Sequence, residues 1–102
     1  SGVRRLPAVY KQIKDISEGD TRVRIIGSVV DSSENMAVID DGTGSVIVRL
    51  MDGKLNNGDI VMIIGRVMAT EDGFEIESEA VVDAGSLDIE RYRQAYRVFS
   101  EL

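Results

Sequence analysis

The sequence contains neither cysteine nor histidine among its 102 residues. Without cysteine the chain can form no disulfide and no thiolate metal site, which suits an intracellular protein. Without histidine it lacks the commonest metal ligand and the side chain that ordinarily titrates near neutral pH. Catalysis would have to rest on carboxylates, lysine, tyrosine or hydroxyl groups. The composition therefore predicts no metal, no cofactor and no catalytic residues.

The sequence also lacks long apolar runs and an excess of positive charge. No segment approaches the roughly 20 apolar residues that span a bilayer. The first seven residues have no apolar core of the kind found in secretory signals. The formal net charge is −6, and negative charge repels polyanions at long range. This balance argues against strong unaided binding of nucleic acid, although it allows a local basic track.

Enzymatic motifs are missing as well. The Gly-rich turns do not match the G-x-x-x-x-G-K-[ST] phosphate loop, and no two carboxylates stand at a spacing that indicates acid–base chemistry. Asp40 and Asp41 are adjacent acids, but neighbours in a strand point to opposite faces. A turn role is therefore favoured for them over a site for a hard cation, and an enzyme is the least favoured class.

The sequence is rich in valine and isoleucine that alternate with polar residues, a pattern typical of half-buried strands. Asp41–Gly44 contains the Asp-Gly pair of a tight hairpin. Five short strands joined by tight turns predict a mostly β fold, either a barrel or a sandwich. The predicted strands are Thr21–Asp31, Met36–Asp40, Ser45–Met51, Ile60–Thr70 and Phe74–Asp83.

An internal similarity favours the barrel. Val23–Val29 and Val61–Val67 both read V-x-I-I-G-x-V, and each follows a Gly-Asp pair. Glycine weakens a strand unless a bulge or sharp bend needs the missing side chain. The first and fourth strands of a five-stranded barrel must coil strongly for the sheet to close. Gly27 and Gly65 are the predicted bends.

Two segments carry a resemblance to a known family. Arg24–Val29 and Ile39–Arg49 (IDDGTGSVIVR) resemble the oligonucleotide/oligosaccharide-binding (OB) domain of the middle subunit of replication protein A and its telomere-capping paralogues. The likeness runs from about Tyr10 to the end, and archaeal single-domain relatives are closest in size. It implies a five-stranded OB-fold Greek-key barrel with an N-terminal lead-in over residues 1–85. It also implies a non-catalytic subunit of a single-stranded-DNA-binding complex, with other OB-fold subunits as partners.

Residues 86–102 are predicted to form a C-terminal helix. Ser86 or Asp88 can cap it, and no glycine or proline follows within it. Its bulky side chains fall on one stripe about two heptads long. This stripe either covers the open end of its own barrel or docks on partner subunits; the second interpretation is favoured, and it matches what the resemblance implies. The predicted partner-binding residues are Ile89, Tyr92, Tyr96, Phe99 and Leu102.

A nucleic-acid site is expected on the outer face of the second and third predicted strands. Arg24, Arg49 and Arg66 can meet phosphates, unless each pairs with a surplus acid. Phe74 can stack on a base, although it shares strand parity with Ile76 and core packing is favoured for it. Met51 stands where the family has an aromatic side chain.

Several features predict that this site is weak. No aromatic occurs in the first four predicted strands. Glu75, Glu77 and Glu79 follow the outward side of the fifth. The loops 32–35 and 71–73 are short, so they offer little to clamp a bound strand. The alternative is an OB module that binds protein and no nucleic acid.

Overall fold

The computed structural model describes residues 7–85. The predicted helix 86–102 lies outside the described residues. Within them, β-structure dominates, with a single 3₁₀ turn, η1, at Ile13–Asp15. The strands are β1 (Val9–Tyr10), β2 (Arg22–Ser33), β3 (Met36–Asp40), β4 (Ser45–Arg49), β5 (Ile60–Thr70) and β6 (Gly73–Asp83).

The strands close into a barrel. Their order is β1-β2-β3-β4-β6-β5, and an additional β2–β5 pairing joins the two sides. The mostly β, five-stranded barrel predicted from the sequence is therefore confirmed, and all five predicted strands are present. Their bounds differ by at most two residues: β2 continues to Ser33, whereas β4 ends at Arg49. The sequence pattern did not predict β1, which pairs in parallel with β2.

The barrel interior is filled by alternate residues of these strands. Val23, Ile25 and Val48 are fully buried, and Val46 is 7% exposed, as the alternation predicted. The core cluster consists of Ile13, Val23, Ile25, Val29, Ala37, Ile39, Val46, Val48, Leu50, Val61, Ile63 and Ile76.

None of the helices described within residues 7–85 is long and apolar enough to cross a membrane.

Gly27 and Gly65 lie where strands cross closely. A Cβ atom on Gly27 would stand 2.6 Å from the carbonyl oxygen of Asp40. A Cβ atom on Gly65 would overlap the carbonyl oxygen of Glu77 and lie 2.6 Å from Ile76 Cγ2. The β5–β6 register also shifts between Ile64 and Gly65. Both glycines therefore permit the coiling that closes the barrel, as predicted.

The β3–β4 hairpin fixes the lead-in to the barrel. Gly42 adopts a left-handed conformation with φ of 87°, as the Asp-Gly pair predicted. Asp41, only 3% exposed, accepts hydrogen bonds from the Thr43 backbone at 2.9 Å and the Thr43 hydroxyl at 2.6 Å. Its other oxygen accepts the backbone N–H of Ile13 at 2.8 Å. The turn role favoured for the Asp40–Asp41 pair is confirmed.

Candidate nucleic-acid interface

The outer surface of β3, β4 and the first half of β6 forms one continuous face, here called the β3–β4 face. Cross-strand register places Val38 beside Ile47 and Ile47 beside Glu75. Met36 pairs with Arg49 at the far end of the two strands. The side chains at its centre are half-buried. The face is therefore apolar at the centre of β3 and β4, and charged along its β6 edge and at Arg49.

Arg49 is held by an acid. Its Nε donates to Glu75 Oε1 at 2.8 Å, and its side chain is 55% exposed. Its terminal nitrogen contacts the sulfur of Met36 at 3.5 Å. The hydrogen bond to Glu75, reinforced by the charge of the same carboxylate, raises the pKa of Arg49. The predicted alternative, in which an arginine pairs with one of the surplus acids, is thus what the structure shows for Arg49.

The structure brings two of the three predicted arginines near each other. Glu77 pairs in register with Arg49 on one side and with Arg66 on the other. Arg66 is exposed and lies directly after the Gly65 bend. Arg24 stands elsewhere on the barrel, between Tyr10 of β1 and Ile64 of β5. The basic track therefore consists of Arg49 and Arg66 with a carboxylate between them.

Phe74 borders a cleft on this face. The cleft has a volume of about 300 Å³ and includes Val38, Ile47 and Thr70 in its lining. Phe74 is half-buried and does not belong to the core cluster. Strand parity alone did not reveal the cleft, because it forms where β6 begins beside β4.

Met51 is separate from Phe74. It is 78% exposed in the loop after β4 and borders a second groove of about 290 Å³. Leu55 and Val81 also line this groove. Of the predicted site, the structure therefore places Arg49 and Phe74 on the β3–β4 face, Arg66 at its margin, and Met51 and Arg24 outside it.

Acidic side chains follow β6 along this surface, as the sequence predicted. Ile76 and Ser78 point into the barrel, so Glu75, Glu77 and Glu79 point outward. Glu79 accepts a hydrogen bond from Arg22 Nε at 2.7 Å. No group of three or more acids within residues 7–85 is arranged to hold a metal ion. The outward row of β6 is therefore acidic, and Glu75 and Glu79 are each bonded to an arginine of another strand.

The flanking loops are as short as predicted. Only residues 34 and 35 separate β2 from β3, and only residues 71 and 72 separate β5 from β6. Asn35 and Gly73 take left-handed conformations in these turns, with φ of 62° and 142°. Neither loop is long enough to fold over a ligand on the β3–β4 face.

The sequence matches a family model over residues 10–102. That model describes Replication factor A protein 3. The chain belongs to this family. The resemblance to replication protein A stated from the Ile39–Arg49 motif is confirmed, with protein 3 as the family identified. A comparison with curated protein sequences gave no significant match.

Solved structures share the fold of this family member. The telomere capping protein Ten1 from Saccharomyces pombe has a TM-score of 0.74 at 22% identity, covering 94% of this chain and 100% of Ten1. A chain of the S. pombe Stn1–Ten1 complex has a TM-score of 0.71 at 23% identity, covering 98% of this chain and 96% of that one. A replication protein A heterotrimer bound to single-stranded DNA gives 0.60 at 19% identity, covering 72% of this chain and 66% of that one.

Proposed function

We propose that this chain is a non-catalytic subunit of a replication protein A-like complex that binds single-stranded DNA. Family membership supports this proposal. So do the assemblies in which similar barrels occur, a heterotrimer bound to single-stranded DNA and the Stn1–Ten1 complex. Such a complex acts inside the cell, in the cytoplasm or nucleoid of an archaeon or in the nucleus of a eukaryote.

The barrel contributes only weak binding of its own in this proposal. The observation that carries this is the ion pair between Arg49 and Glu75 at 2.8 Å. A phosphate that approaches Arg49 must displace a carboxylate already bonded to it. Glu77 repels the same phosphate from the neighbouring position. Protein–DNA affinity comes largely from phosphate neutralisation. On the β3–β4 face this contribution is reduced, because Glu75 and Glu77 compete with the phosphate or repel it.

Stacking supplies the remaining contact. Phe74, Val38 and Ile47 line the cleft together with Asp72 and Glu75, so one base would find an aromatic contact beside two carboxylates. Stacking on an aromatic side chain contributes about 1–3 kcal/mol per base. A single such site falls well short of the several platforms that tight single-strand binders use. We infer that partner subunits supply most of the affinity for single-stranded DNA, while this chain adds the contacts of Phe74 and Arg49.

Assembly is assigned to residues 86–102. Their predicted helix carries three of the five aromatic residues of the sequence, all on one stripe. A helix of about 15 residues is marginal alone in water, so a packing partner must stabilise it. Tyrosine suits an interface with a partly wet rim. The stripe Ile89-Tyr92-Tyr96-Phe99-Leu102 is therefore the proposed contact with other OB-fold subunits.

The experiment is purification of the chain with its partners from its native source, followed by titration with single-stranded DNA. We expect the captured complex to bind DNA much more tightly than the isolated chain, with a strong salt dependence. The proposal fails if no OB-fold protein co-purifies, or if the captured complex does not bind single strands at any salt concentration.

A second candidate is a protein-binding OB module. The acidic row along β6 and the apolar centre of the β3–β4 face favour it, because a basic protein segment fits this surface better than a polyanion does. The same titration discriminates the two: a complex that assembles but ignores DNA supports the module. Arg49 and Phe74 would then contact protein.

A further inference from the structure

A second apolar surface lies on the outside of the barrel, across β2, β5 and β6. Register places Ile26 beside Met62, and Met62 beside Val82, with Ile64 in the next outward row. We call these four residues the outer stripe. Ile26 is 2% exposed and Val82 is 45% exposed, while Met62 and Ile64 are half-buried. None belongs to the core cluster. Ile26 is already covered, so the accessible apolar area of the stripe lies on Met62, Ile64 and Val82.

The outer stripe ends in positive charge. Arg24 pairs with Ile64 across the β2–β5 ladder, and Arg66 follows two residues later on β5. The Nε atom of Arg24 is buried and has no hydrogen-bond partner among the described residues. A buried donor without an acceptor is costly, and native proteins seldom leave one so. A segment that is apolar along its length and carries negative charge at this end would therefore complement the outer stripe.

The chain leaves the barrel at the opposite end of the stripe. Ala84 donates its backbone N–H to the carbonyl of Ile60 at 2.9 Å, so the described part of the chain ends beside the start of β5. From Ile60 to Arg66, β5 spans about 20 Å. A helix of about 15 residues is about 22 Å long. Residues 86–102 thus have the length, the starting point and the apolar stripe that this surface requires.

We propose that, in the isolated chain, residues 86–102 fold back as a helix onto the outer stripe. Ile89 and Tyr92 lie near Met62, and Tyr96 and Phe99 approach Ile64. Glu101 reaches Arg24 and Arg66, whose positive charges stabilise a carboxylate there. A short tether makes the effective concentration on the order of millimolar, which favours this contact over a second copy.

This inference shares its helix with the proposed function but concerns the chain without partners. The helix face that we assign to assembly is then covered until a partner subunit displaces it or packs over it. A cross-link made in the isolated chain reports on this docking alone, whereas co-purification reports on assembly. The two can therefore fail independently.

Disulfide trapping tests the contact, because the sequence has no cysteine to interfere. We compare Met62→Cys with Tyr92→Cys against the matched control Met68→Cys with Tyr92→Cys. Met68 is an outward methionine on the same strand, about 20 Å from Met62. In the proposed arrangement it is therefore too far from residue 92 for a disulfide. We expect an intramolecular disulfide in the first pair at least tenfold faster than in the control. Equal rates, or a disulfide-linked dimer from a second copy, overturn the proposal.

Hydrogen exchange provides an independent measurement on the full chain. Met62→Lys should speed amide exchange in residues 89–100 at least tenfold, whereas Met68→Lys should leave it unchanged. Protection of the Ile25 and Ile63 amides verifies that both variants keep the barrel. If residues 89–100 exchange as fast in the unaltered chain as in an unstructured peptide, the helix does not dock and the inference is wrong.

Discussion

The buried carboxylate of Asp41 accepts the backbone N–H of Ile13 at 2.8 Å, across 28 positions of sequence. Its other oxygen holds Thr43, whose hydroxyl accepts the N–H of Lys14 at 3.2 Å. Two turns distant in sequence are thereby joined, and Ile13 is placed in the core. The DDGTG motif is thus explained by its role as an anchor between the hairpin and the lead-in, independently of any ligand.

Replacing Asp41 with asparagine should therefore weaken the fold. A carboxylate has two acceptor oxygens, whereas an amide has one. The NH₂ group of the asparagine would therefore point at the donor of either Ile13 or Thr43, and that hydrogen bond would be lost. Charge-assisted hydrogen bonds contribute about 1.5–3 kcal/mol each, and we expect Asp41→Asn to lower the free energy of unfolding by about 2–3 kcal/mol. Urea denaturation measures this value.

Asp40→Asn is the matched control for that variant. Asp40 accepts one exposed hydrogen bond, from the backbone of Gly42 at 2.7 Å, and the asparagine oxygen can keep it. A loss below about 1 kcal/mol is expected. Equal losses in the two variants would show that the burial of Asp41 and its link to Ile13 do not matter.

Gly65→Ala should be among the most destabilising single-methyl changes in the barrel. The added carbon meets the carbonyl oxygen of Glu77, which is backbone and cannot move aside cheaply. Overpacking costs about 1–3 kcal/mol and sometimes more, and we expect at least about 3 kcal/mol here. Gly19→Ala is the control, since nothing lies within 4 Å of its Cβ position, and it should change stability by less than about 0.5 kcal/mol. Denaturation midpoints that agree for both variants would refute the argument.

Much of the barrel was predictable because its signals are local. Val23 and Ile25 alternate with polar neighbours, and alternation in one strand identifies its buried face. Gly27 and Gly65 were recognisable from their matching places in two similar segments. By contrast, β1 consists of two residues, Val9–Tyr10, held by parallel pairing with β2. A strand of this length has no periodicity to detect.

The candidate site was less predictable for a different reason. The outward direction of Arg49 follows from parity, but its ion pair depends on the parallel neighbour that β6 provides. Parallel pairing of β4 with β6 is a property of barrel closure, and no local pattern encodes it. The same closure separates Arg24 from Arg49 and places Glu77 between Arg49 and Arg66. Partners across non-consecutive strands become visible only in three dimensions.

The ion pair between Arg49 and Glu75 predicts that substitutions at these two residues change the affinity for single-stranded DNA in opposite directions. In the assembled complex, Arg49→Ala should weaken single-strand binding and reduce the slope of log affinity against log salt by about 1. Glu75→Gln should strengthen binding about threefold to tenfold, because it frees Arg49 for a phosphate. Fluorescence anisotropy across a salt series measures both effects.

Glu18→Gln serves as the charge control for this pair. It removes the same charge from an exposed position before β2, so a gain in affinity common to both glutamate variants would reflect net charge alone. If Arg49→Ala leaves affinity and salt dependence unchanged, the β3–β4 face does not contact DNA. The protein-binding module then becomes the better proposal.

The predicted assembly stripe leads to the last test. Tyr92→Ala and Tyr96→Ala together should reduce capture of OB-fold partners at least tenfold, because truncated aromatic anchors at an interface commonly cost about 2 kcal/mol or more each. Gln94→Ala is the control, since Gln94 lies on the predicted helix but off the stripe. Quantitative co-purification measures the loss, and barrel stability by urea denaturation shows whether the fold is retained. Partners captured equally by all variants would assign assembly to the barrel surface instead of to residues 86–102.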